Sequence, residues 1–77
     1  MNQTESLIDV LDEARAGRSY ALIGRLVRHE GLEVKDHTVR RWLRGDRTLP
    51  ITAQQALFDA LNMSEEQRAR AVKAASR

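Results

Sequence analysis

Asp36-His37-Thr38-Val39-Arg40-Arg41-Trp42-Leu43-Arg44-Gly45 carries more information than any other part of the chain. Asp36 is a favourable N-cap and Gly45 a favourable stop, so the spacing predicts a short reading helix in the segment 36–44, capped by Asp36 and helical from His37. On a helical wheel at ~100° per residue, Val39, Trp42 and Leu43 share one side. His37, Arg40, Arg41 and Arg44 share the opposite side, with Thr38 at the edge. The first side is suited to burial, and Trp42 gives it a large anchor. The second side presents guanidinium groups, an imidazole and a nearby hydroxyl. A helix of this width fits the major groove of B-DNA, ~12 Å across, where arginine can grip O6 and N7 of guanine with two parallel hydrogen bonds.

Upstream, Leu7, Val10, Leu11 and Ala14 recur at helical spacing and predict a helix from Glu5 to Ala16, stopped at Gly17. Its early acidic residues suit the positive end of the helix dipole. Residues 1–4 read as a frayed start. Ser19 caps a second helix from Tyr20 to about Glu30, with Leu22, Ile23, Leu26 and Val27 as its apolar stripe and Gly31 as its end. Gly24 and Ala21 are small enough to let another helix approach closely. In the connector that follows, Leu32 and Val34 are expected to tuck inward.

Downstream, residues 45–50 form a turn, and Pro50 pre-sets a fourth helix from Ile51 or Thr52 to Leu61. Ala53, Ala56, Leu57, Ala60 and Leu61 make its core face, with Phe58 at the flank. Ser64 followed by Gln67 is a capping-box signature for a fifth helix, from Glu65 to about Ser76. Ala69, Val72 and Ala75 are expected to be its apolar stripe. No strand, repeat or low-complexity tract is visible. The expected fold is all-α: one domain over residues 1–77, a bundle of about five helices.

Composition narrows the function. A chain of 77 residues has room for one modest core. Cysteine is absent, which removes disulfides and thiolate zinc sites. With two histidines, no metal or other cofactor is expected. No apolar run reaches the ~20 residues of a membrane span, and the N-terminus does not read as a secretory signal, so a cytoplasmic location is expected. The formal net charge is only +2. Its distribution says more: Glu5, Asp9, Asp12 and Glu13 precede any basic residue, whereas Lys35, Arg40, Arg41, Arg44 and Arg47 crowd one short stretch.

The run from His37 to Arg47, followed by Pro50 and a helix ending Leu61-Asn62-Met63-Ser64, resembles the Cro/CI-type repressor family. Val39, Trp42, Gly45 and Pro50 match that family's spacing: an apolar residue, an aromatic three on, a glycine three further, then a turn and a proline. The resemblance covers about Tyr20 to Ser64. It implies a helix-turn-helix formed by the second and third helices, and a transcriptional regulator of the phage or mobile-element kind. It also implies repression by occupying an operator. The segment from Gly31 to Val39 is longer than the family's tight turn.

The expected partners are double-stranded DNA and a second copy of the chain, with no small-molecule ligand. Base readout is assigned to His37, Thr38, Arg40, Arg41 and Arg44. Phosphate contact is assigned to Lys35 and Arg47, which flank the reading helix, and to Arg25 and Arg28 on the helix before it. The fifth-helix stripe, Leu49, Ile51 and Phe58 are candidates for the dimer contact. Each assignment has a plainer counterpart, because basic residues on an amphipathic helix are often only its solvated face. Catalysis finds no support: no nucleophile and base stand at recognisable spacing, and no glycine loop could cradle a phosphate. The second reading is a small protein-interaction module that docks an acidic partner through the same arginines.

Overall fold

Three serines open three of the helices. In the computed structural model, which describes residues 5–75, the Ser6, Ser19 and Ser64 hydroxyls accept hydrogen bonds from the backbone amides of Asp9, Leu22 and Gln67, each at 3.1 Å. Asp9 and Gln67 return the bond to the amides of Ser6 and Ser64, which completes two capping boxes. The helices are α1 (Leu7–Arg15), α2 (Tyr20–His29), α3 (Asp36–Arg44), α4 (Ile51–Ala60) and α5 (Glu65–Ala75). The all-α bundle expected from the sequence is therefore present.

Several ends differ from expectation. α1 begins at Leu7 rather than Glu5, because Ser6 takes the capping position. α3 spans the expected segment 36–44, but Asp36 is its first helical residue rather than its N-cap, and Lys35 stands at the N-cap without a side-chain cap bond. The Asp36 carboxylate bonds instead to Arg28 on α2. The ends of α1, α2 and α3 are each followed by a glycine with positive φ: Gly17, Gly31 and Gly45. At Gly45 the requirement is double, since φ is +81° and an added Cβ would lie 3.0 Å from Ile8 Cγ1. The frayed start assigned to residues 1–4 and the helix end assigned to Ser76 lie outside the described residues.

The helices pack as α2 on α3 and α4, and α1 on α5 and α3. Val10, Leu11, Ile23, Val27, Val39, Leu57 and Leu61 are fully buried at the centre. Each such side chain contributes about 1.5–3 kcal/mol of transfer free energy relative to exposure. Leu32 and Val34 pack partly buried against this core, which anchors the connector as anticipated.

The face of α5 is the main correction. Ala69, Val72 and Ala75 are exposed, and Ala71 is the buried residue. The helix is turned toward α1 by charge as well as by packing. Arg70 bonds to both Glu5 and Glu13, and Gln67 also donates to Glu13. No helix among the described residues is long and apolar enough to cross a membrane.

Candidate nucleic-acid interface

α3 is anchored along one side. Val39 is fully buried, Trp42 is 5% exposed and Leu43 is 3% exposed. The indole N–H of Trp42 meets no acceptor among the described residues, so the ring holds by packing alone. Gly45 ends the helix in a left-handed turn whose amide donates to the Trp42 carbonyl, which fixes where Asp46 and Arg47 begin.

The other side of α3 is open. His37, Arg40, Arg41 and Arg44 are exposed, and Thr38 is half-buried at the edge. The helical wheel placed these residues correctly on the two sides. Lys35 and Arg47 are also exposed, in the turns that bracket the helix, and Arg25 is exposed on α2.

The described arginines differ in what they bind. Arg18 donates to the Ala14 and Leu61 carbonyls, tying the end of α1 to the end of α4. Arg15 bonds to the Arg18 carbonyl and Asp12 and lies over the Tyr20 ring. Arg68 joins the Met63 carbonyl to Asp59, and Arg70 joins α5 to α1. These four are consumed by the fold. By contrast, Arg25, Arg40, Arg41, Arg47 and Lys35 form no ion pair or hydrogen bond through their side chains among the described residues. Arg44 comes no nearer than 3.9 Å to Asp46.

Arg28 does not belong with the open cations. Its Nη1 donates to the Val34 carbonyl at 3.1 Å and to Asp36 Oδ1 at 2.6 Å. The sequence grouped Arg28 with the phosphate contacts, but it is already engaged within the fold. Arg18, Arg68, Arg70 and the Arg28–Asp36 pair escaped sequence reading, because their partners are carbonyls or residues eight or more positions away. Ser6 with Asp9 and Asp12 with Arg15 were missed features with a local signal, each a pair three residues apart.

Of the surfaces considered for a second copy, Leu49 and Phe58 are buried, while Ile51 is 83% and Val72 51% exposed. Ile51, Phe58, Ala69 and Val72 line a shallow groove of about 660 Å³ between α4 and α5, rimmed by Arg68 and Lys73. Among the described residues, no cluster of three or more His, Asp or Glu side chains is placed to hold a metal ion.

No family model, curated protein or solved structure matches this chain.

Proposed function

We propose that this protein binds double-stranded DNA with sequence preference and regulates transcription by occupying its site. One observation carries the reading: α3 is pinned by Val39, Trp42 and Leu43 while Arg40 and Arg41 on its outward side form no ion pair among the described residues, whereas Arg15, Arg18, Arg28, Arg68 and Arg70 are spent on the protein's own carbonyls and carboxylates. A fixed helix is what base readout needs, since a side chain selects a base only if its origin is held. In this reading α2 and α3 form a helix-turn-helix. His37, Thr38, Arg40, Arg41 and Arg44 face base edges, and Lys35, Arg47 and Arg25 meet phosphates.

Two copies acting together would set their reading helices about 34 Å apart, one turn of the duplex. Selection of bound sites from random duplexes tests both points. A defined motif is expected, and a palindromic one reports the paired copies. Binding should also weaken steeply with salt through counterion release, yet outlast bulk competitor on the selected site. Absence of binding to any duplex at low salt overturns the proposal and favours an acidic protein partner for the same arginines.

A further inference from the structure

Arg28, Asp36 and Gly24 form a strut between α2 and α3. Six residues, 30–35, connect these helices, and a connector of that length sets no crossing angle by itself. Arg28 Nη1 reaches across it, holding the Val34 carbonyl and Asp36 Oδ1 together. Val34 lies in the connector and Asp36 is the first residue of α3. One nitrogen thus fixes both the path of the connector and the start of the helix. Gly24 is what admits the pair. A Cβ at that position would collide with Asp36 Oδ1 and would stand 3.3 Å from Arg28 Nη1. The Asp36 carboxylate therefore rests directly on the α2 backbone, in space that any other residue at position 24 would fill.

We infer that Arg28 and Asp36 are a positioning pair that sets the angle of α3 for base readout, and that Arg28 is not a phosphate contact. The inference rests on the DNA-binding reading. Both side chains are about half exposed, 41% for Arg28 and 49% for Asp36, so the pair adds little to overall stability. Its consequence is angular. Base contacts at the far end of α3 depend on where the helix begins, and a small rotation at Asp36 displaces Arg41 and Arg44 more than it displaces Thr38.

The two roles of Arg28 predict different outcomes for Arg28→Gln and Asp36→Asn. These variants remove opposite charges. If Arg28 merely met a phosphate, the first would weaken and the second would tighten binding to every duplex, and the ratio of preferred to bulk affinity would stay at the wild-type value. A positioning pair instead makes both variants lower that ratio, by about fivefold, with the double variant no worse than either single one. General electrostatic effects cancel in the ratio. A ratio unchanged in both variants, with circular dichroism showing that they fold, overturns the inference.

The strut can also be tested without DNA, which separates its failure from failure of the functional reading. Should the wild-type protein prefer no duplex, the DNA reading falls and the strut is judged by two other measurements. Urea midpoints of the four proteins in the Arg28/Asp36 cycle should show only a small coupling, and amide shifts through α3 should move together in both single variants. Additive midpoints with unmoved α3 amides would overturn the strut as well.

Discussion

Arg70 Nη1 on α5 stands 2.9 Å from Glu13 Oε2 on α1, although the two residues are 57 apart in the chain. The same guanidinium holds Glu5, so one side chain fastens α5 to both ends of the first helix segment. Hydrogen bonds from Arg70 and then Gln67 hold the Glu13 carboxyl down, from the ordinary 4.5 to about 2. Arg70 also lowers Glu5, while Gln55 and then Arg68 lower Asp59.

Depressed carboxyl pKa values fix the sign of the pH dependence. The folded state binds protons less readily than the unfolded chain, so these groups contribute fully above the ordinary carboxylate range. Their contribution fades as pH falls from about 4.5 toward about 2. Thermal melts across that window should show a falling midpoint in the wild-type protein and a shallower fall in Arg70→Met. Superimposable profiles would contradict this role for Arg70.

Gly24→Ala sets two effects against each other. Alanine favours a helix interior over glycine by about 1 kcal/mol. Here the new methyl must evict the Asp36 carboxylate from its contact with α2 and Arg28. In the wild-type background we expect the eviction to offset part of the propensity gain. In an Asp36→Ala background only Arg28 Nη1, the end of a flexible side chain released from its carboxylate, stays close to the new methyl, and the same substitution should stabilise by roughly 0.5–1 kcal/mol. Urea denaturation of the four proteins reads the difference, and a substitution equally stabilising in both backgrounds would show that the close approach at Gly24 is inconsequential.

Ile51→Glu separates folding from association. At 83% exposure the Ile51 side chain has little to lose on folding, so stability should change by less than about 0.5 kcal/mol. A homodimer that uses the groove between α4 and α5 would lose apolar contact and gain two buried like charges, which shifts it to monomer. Sedimentation equilibrium at several concentrations measures this directly. Unaltered association in the variant would remove this face from consideration.

Much of this architecture could be read because local rules reinforce one another. Leu22, Ile23, Leu26 and Val27 give α2 its period, Ser19 caps it, and Gly31 follows its end. In α3 the contrast between Val39, Trp42, Leu43 and the arginines leaves only one orientation possible. α5 offered no such contrast. Its apolar residues are mostly alanines, and its long side chains carry aliphatic stems, so hydrophobicity barely distinguishes the Ala71 face from the Ala69–Val72 face. The observed face buries Ala71 and lets Arg70 reach Glu5 and Glu13, a long-range pairing that periodicity does not encode. Asp36 was misread by one position for a related reason: a residue suited to capping was drawn off by a stronger charged partner eight residues upstream.

Arg41 and Lys35 provide the sharpest division within the proposed interface. Arg41 lies on the outward side of α3 without an ion pair among the described residues, and Lys35 stands at the N-cap, where the chain enters the helix. If Arg41 reads a base edge, Arg41→Ala should cost ~1–3 kcal/mol on the preferred site and relax selectivity at one base position. Lys35→Ala should weaken all duplexes to a similar extent and reduce the slope of log affinity against log salt by about one. Neither residue belongs to the buried core, so both variants should keep the wild-type melting temperature within a few degrees. Competition binding over a panel of single-base site variants, repeated at several salt concentrations, measures both quantities. Identical selectivity profiles for the two variants would show that Arg41 acts as charge alone, and would return α3 to the status of a solvated basic face.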